Sequence, residues 1–210
     1  MKDIALKVAS DLLSIKAIKL SIDEPFTWSS GWKSPIYCDN RLSLSYPEIR
    51  TSIKAALAQA AQREFPMAEA VAGVATAGIP QGALVADQLD VPFVYVRSKP
   101  KGHGMENLIE GKVTPGQKVV VVEDLVSTGG SSLKAAEALR AAGFEVLGML
   151  SIFTYGFPQA DDNFKAAGLT LHSLSDYSVM LEIAMGQGYI SENDMESLEA
   201  WRKDPASWEG

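Results

Sequence analysis

The sequence predicts an α/β fold, a central and mostly parallel sheet flanked by helices, with a small hood of aromatic strands beside it. Three observations lead there. Residues 119–122 are four consecutive valines, an unalternated apolar run of the kind that fills a strand buried on both faces. Strand-like and helix-like segments alternate from residue 69 to residue 153, a βαβ rhythm that implies parallel pairing through right-handed crossovers. Small-residue turns at 76–80 and 127–132 fall where strands hand over to helices, and ligands of such sheets sit beyond the carboxyl ends of the strands.

The elements follow in order. Residues 4–18 read as an amphipathic helix with Ala5, Val8, Leu12 and Ile15 on one face. Residues 26–28 and 32–39 read as two short aromatic strands about the turn Ser29-Ser30-Gly31, and form the hood. Pro47 opens a helix whose buried stripe is Ile49, Ile53, Ala56, Leu57 and Ala60, and Pro66 closes it. Then come a strand at 69–75, a helix to about Leu89, a strand at 93–96, the valine strand ending at two carboxylates, and a helix at 133–142 stopped by Gly143. Residues 145–153 form another buried strand, 157–167 a helix, 169–174 an edge strand, and 176–185 and 191–202 two last helices, the second with a capping pattern at Ser191. His172 lies outside every motif and reads as structural.

Length and composition favour one domain over residues 1–210, with hood elements at about 20–45, core at about 47–175 and C-terminal helices at about 176–204. A formal charge of -7 and a pI near 4.9 argue against binding nucleic acid or an anionic membrane. The single cysteine, Cys38, together with an N-terminus lacking a signal-peptide pattern and the lack of an apolar stretch of about 20 residues, leads to the expectation of a cytoplasmic protein.

Chemistry concentrates in the segment Glu123-Asp124-Leu125-Val126-Ser127-Thr128-Gly129-Gly130-Ser131. A strand, a glycine-rich turn and a helix N-terminus make an anion site, because unpaired backbone N–H groups converge there and the helix dipole favours negative charge. Two carboxylates just before it would repel a bare phosphate, yet they can accept hydrogen bonds from ribose hydroxyls, so the order fits a ribose 5-phosphate better than a nucleoside triphosphate. No G-x-x-x-x-G-K-[ST] occurs, and Gly102-His103-Gly104 lacks the third glycine of G-x-G-x-x-G. Residues 97–117 form a long connection rich in glycine, proline and cations, among them Arg97, Lys99, Lys101 and His103. Such a loop inside a compact domain reads as an active-site lid.

The segment 123–131 resembles the 5-phosphoribosyl 1-diphosphate (PRPP) signature of type I phosphoribosyltransferases. With the hood Phe26-Thr27-Trp28-Ser29-Ser30-Gly31-Trp32-Lys33-Ser34-Pro35, the turn Thr76-Ala77-Gly78-Ile79-Pro80 and the lid ending in Lys101-Gly102-His103-Gly104, nearly the whole chain is similar to the orotate phosphoribosyltransferase family. The resemblance implies a type I phosphoribosyltransferase-like fold and transfer of ribose 5-phosphate from PRPP to orotate, giving orotidine 5'-monophosphate and pyrophosphate for pyrimidine (UMP) synthesis. It implies catalytic roles for Lys101, His103 and Asp124, and PRPP binding by Arg97, Lys101, His103, Glu123, Asp124, Leu125, Val126, Ser127, Thr128, Gly129, Gly130 and Ser131. It further implies Mg2+ held mainly by substrate and water, with no dedicated protein cage, and a homodimer in which the lid lysine and histidine reach the neighbour's site.

The chain departs from better-known members at several positions. Arg97-Ser98 stands where many carry Arg-Lys, Ala77 and Ser29 replace lysines, and no arginine occurs between Arg140 and Arg202, where the family places one that contacts orotate. Ser127, backbone groups of the hood, and Lys33 are the candidates left for the base. Two other readings share these motifs: a phosphoribosyltransferase for another nucleobase, and a non-catalytic PRPP-sensing regulator on the same fold.

Overall fold

The computed structural model of the chain describes residues 2–28, 30–99 and 108–208. Helix α1 (Lys2–Ser14) leads into strand β1 (Ile18–Leu20), and the hood follows as β2 (Phe26–Thr27), β3 (Lys33–Ser34) and β4 (Ile36–Cys38), closed by a 3-10 helix, η1 (Asn40–Ser45). Next come α2 (Pro47–Glu64), β5 (Ala70–Val74), α3 (Gly78–Leu89), β6 (Phe93–Val96), β7 (Ile109–Glu110), β8 (Lys118–Val126) and α4 (Gly130–Ala141). The chain ends with β9 (Glu145–Thr154), α5 (Pro158–Ala166), β10 (Leu171–Asp176), α6 (Tyr177–Gly186) and α7 (Glu192–Lys203).

The central sheet has the order β10-β9-β8-β5-β6-β7, parallel throughout except for the short β7. The strand order reverses between β5 and β8, since β6 lies beyond β5 while β9 lies beyond β8. That is the switch point at which α/β sheets open a crevice for ligands. The valine strand divides its side chains as its position requires: Val120 and Val122 join the layer of α1, α2, α3 and α6, and Val119 and Val121 join the layer of α4 and α5. All four valines are fully buried.

Several elements differ from the sequence expectation, each for a local reason. The first helix ends at Ser14, because the chain turns through a left-handed Lys16 and Ala17 N–H bonds back to the Leu12 carbonyl. Ile18 then pairs with Cys38 in a small antiparallel sheet. Residues 32–39 do not form one strand: Pro35, which has no N–H, separates β3, paired with β2, from β4, paired with β1. The signature strand does not stop at the carboxylates but runs on to Val126, because β9 continues beside it to Thr154 and pairs with Leu125 and Val126. Helix α4 starts at Gly130 rather than at Leu133. The capping box at Ser191 is formed with Asp194, and β10 is the edge strand expected near it. His172 lies on that edge, 3.6 Å from the Glu64 carboxylate and edge-on to Phe65. No helix among the described residues is long and apolar enough to cross a membrane.

Candidate active site

Two strand ends and the hood meet at one place. β8 delivers Glu123, Asp124 and the loop 127–129 to the N-terminus of α4. Gly129 occupies the N-cap position in a left-handed conformation (φ 81°), and a Cβ there would lie 2.7 Å from the Phe164 ring, so glycine is required twice over. No side chain caps α4, which leaves the first-turn N–H groups available to an anion. From below, Asn163 of α5 donates to the Thr128 carbonyl (2.9 Å) and Thr154 donates to that of Val126 (3.2 Å). The cradle is therefore fixed from α5 and β9, and not by the loop alone.

The acidic pair divides its work. Glu123 is 6% exposed; one carboxyl oxygen accepts from Asp124 N–H (3.0 Å) and the other from the Ser132 hydroxyl (3.1 Å). Burial, followed by the neighbouring Asp124 charge, pushes its pKa well above the usual carboxylate range. Asp124 is half-buried, and burial raises its pKa as well. Its carbonyl accepts from the Asn40 amide at 2.8 Å, a bond that ties η1 of the hood segment to the signature strand. Beside it, Asp39 receives Arg41 through Nε (2.6 Å) and Nη2 (2.9 Å), and its carboxyl is held below its ordinary value by that guanidinium.

Between hood and loop lies a cavity of about 770 Å³. The hood contributes Thr27, Trp28, Ser30, Trp32, Tyr37 and Cys38; the signature contributes Leu125, Ser127 and Thr128; Tyr155 and Gln159 enter from beyond β9. The wall is aromatic: Trp28 and Trp32 stack with centroids 6.5 Å apart, and Trp28 lies 5.0 Å from Tyr155. A flat slot beside an anion cradle can hold a planar ring next to a phosphorylated sugar.

The other sequence-predicted residues sit as follows. Leu125, Ser127 and Thr128 line the cavity; Val126 is buried behind it, and Gly130 and Ser131 are exposed on the first turn of α4. Arg97 lies at the end of β6, tied to Glu110 of β7 (3.3 Å). Lys33 is exposed on β3, its ammonium donating to Thr27 Oγ1 (3.1 Å), and it does not line the cavity. Lys101 and His103 lie outside the described residues. Sequence reasoning missed Tyr155, Gln159, Asn40 and Asn163. For the first two a signal existed: they follow the carboxyl end of the strand beside the signature, where the switch-point rule directs attention.

A doubly wound sheet that presents an acid pair and an uncapped helix N-terminus at its switch point defines a protein of the phosphorylated-sugar-binding class. Residues 45–176 match the model of the phosphoribosyl transferase domain. Orotate phosphoribosyltransferase of Cytophaga hutchinsonii is 58% identical over 202 residues, 96% of this chain and 97% of that one. The Bacillus subtilis enzyme of the same name is 54% identical over 95% of this chain and 93% of its own length. The crystal structure of orotate phosphoribosyltransferase from Aeropyrum pernix superposes with a TM-score of 0.77 at 32% identity, covering 88% of this chain and 99% of that one. The chain belongs to the phosphoribosyl transferase family, in its orotate phosphoribosyltransferase branch, and is thus a pentosyltransferase.

Proposed function

We propose that this chain joins N1 of orotate to C1 of PRPP, releasing pyrophosphate and forming orotidine 5'-monophosphate in pyrimidine synthesis. The observation that carries the reading is the cavity of about 770 Å³ in which an aromatic slot opens onto the signature loop. The transition state has oxocarbenium character, as in glycoside chemistry, so little proton transfer is needed. The protein's work is to align two anions and stabilise charge on the leaving group.

The backbone N–H groups of residues 126–131 cradle the 5-phosphate. Asp124, the more exposed acid, takes the ribose hydroxyls, and Glu123 braces it through the Asp124 N–H. Ser127 sits where sugar and base meet. Arg97, Lys101 and His103 serve the pyrophosphate, and closure of the lid excludes water that would hydrolyse the activated sugar. Mg2+ supplies charge neutralisation of the pyrophosphate when bound. Among the described residues no cluster of three His, Cys, Asp or Glu side chains is suited to hold a metal, and the half-buried Asp124 suits a cation that keeps most of its ligands from substrate and water. The working unit is a cytoplasmic homodimer whose lids reach across to the partner's sites.

Incubation with PRPP, Mg2+ and each candidate base in turn tests the reading, followed by the loss of orotate absorbance. Orotate should be consumed with stoichiometric release of pyrophosphate. Turnover of a purine or of uracil with orotate untouched would overturn it.

A further inference from the structure

We propose that the Tyr155 hydroxyl is a specificity-determining donor to the carboxylate of the base, so that this site recognises an anionic pyrimidine through a neutral phenol. The inference rests on the function proposed above and assigns the part of the substrate that distinguishes orotate from uracil.

Among the described residues no lysine, arginine or histidine lines the cavity. Lys33, the hood cation, spends its ammonium on Thr27 Oγ1 and stands one side chain behind the wall. Among the described lining residues, the donors a carboxylate would meet in this cavity are uncharged. Orotate carries its carboxylate on the carbon next to N1, and N1 must face the ribose. The donor is consequently required at the ribose end of the slot, near Asp124 and Ser127, and not at its outer mouth.

Tyr155 is the residue at that end. It is the first residue after β9, and its own N–H bonds to the Val126 carbonyl at 3.2 Å, one residue before Ser127. Its ring is wedged against Trp28, Phe157 and Trp201, with centroids 5.0, 5.5 and 5.7 Å away, and cannot swing aside. The side chain is buried yet lines the cavity, and its hydroxyl donates no hydrogen bond to any described residue. Cys38, Asp124, Tyr37 and Tyr177 are the ionisable groups whose charges act on the phenol, and of these Cys38 and Tyr37 line the same cavity. Burial first, and then Cys38 and Asp124, push the phenol well above its ordinary pKa, which keeps the proton in place for donation. A donor built in this way pairs with a carboxylate and is left unpaired by uracil, and that asymmetry produces discrimination.

Tyr155→Phe removes one oxygen and keeps the ring that packs the aromatic cluster. With PRPP saturating, kcat/KM for orotate should fall roughly ten- to hundredfold, the size expected for losing a hydrogen bond to a charged group. Slow turnover of uracil should hold or rise, since Phe leaves no unpaired donor beside that base, so the orotate-over-uracil ratio falls by at least the same factor, while the PRPP KM stays within about twofold. The uracil arm separates recognition from damage to the fold, which would lower both bases together. A parallel fall for both bases, or orotate kinetics unaltered in Tyr155→Phe, overturns the inference alone. Turnover of another base and not of orotate by the unaltered protein overturns the functional reading and this inference with it.

Discussion

Trp201, near the end of the chain, donates its indole N–H to the backbone carbonyl of Lys33 at 3.1 Å. Helix α7 is thereby fastened to the hood hairpin 168 residues earlier. The indole is fully buried and lies edge-on to Trp28 and Tyr155, at 5.6 and 5.7 Å. The aromatic wall of the cavity is thus set by the C-terminal helix as much as by the hood that carries its indoles.

Trp201→Phe tests this coupling. The ring still fills most of the space, but the Lys33 carbonyl loses its donor, a cost of about 1–3 kcal/mol. We expect a lower Tm and an orotate KM raised several-fold, with kcat and the PRPP KM less affected. Calorimetry and steady-state kinetics on one preparation decide it. A stability loss with the orotate KM unmoved would mean that α7 supports the fold without positioning the slot.

Asn40 offers a second test on the PRPP side. Its amide donates to the Asp124 carbonyl and its oxygen accepts from Cys38 Sγ, at 2.8 and 3.2 Å, and the residue is 1% exposed. Asn40→Ala removes both bonds and should destabilise the chain by about 1–3 kcal/mol. Because the lost bond holds the backbone of Asp124, the acid proposed to take the ribose hydroxyls, the PRPP KM should rise more than the orotate KM. Urea denaturation gives the first quantity and initial rates give the second. Equal shifts for both substrates would place Asn40 among general structural residues.

Much of this arrangement was legible in the sequence because it is local. The valine run fixed a strand buried on both faces, and the order of acids, hydroxyls and glycines fixed a strand, turn and helix N-terminus, since each depends on residues a few positions apart. What stayed hidden depends on distant pairs. Nothing near Asn40 announces its bond to Asp124, nothing near Asn163 announces that it holds Thr128, and Tyr155 acquires meaning only once Trp28 and Trp201 close around it. The local pattern also ends the strand at Glu123 and Asp124. Both lie inside it, because the length of β8 is set by β9, a partner that pattern does not reveal.

The acidic pair gives a pH signature. Burial raises the pKa of Glu123 and of Asp124 in the folded chain, so the fold binds protons more tightly than the unfolded chain does. Stability is then fully present below the ordinary carboxylate range and is lost as pH rises through the raised folded values. Glu123→Gln keeps the shape, with an oxygen for the Asp124 N–H and an amide for Ser132, and cannot ionise. Its Tm should gain on the wild type progressively as pH rises from about the ordinary glutamate pKa of 4.5 toward neutrality. Thermal melts of the ligand-free proteins across that window check it, and a constant difference between the two would rule out Glu123 as the source of the slope.

The lid supplies the last prediction. Arg97 stands at the end of β6, two strands from β8, which is roughly 10 Å across the sheet, and its guanidinium is held by Glu110. A connection rooted there is not committed by its base to the cavity at β8 and β9. If Lys101 and His103 serve the partner's site, each active centre of the dimer draws its lid from one subunit and its acid pair from the other. Lys101→Ala should then lower kcat by the equivalent of about 2–4 kcal/mol, with a smaller change in PRPP affinity, since a lid cation acts on charge that develops on the leaving group. Asp124→Ala should be inactive through the other half. Mixing the two under conditions of subunit exchange creates hybrids in which one centre has both halves intact and the other has neither, so about a quarter of wild-type activity should return if exchange is random. Proof of exchange by native mass spectrometry, with activity no higher than the sum of the two variants, would assign each lid to its own subunit.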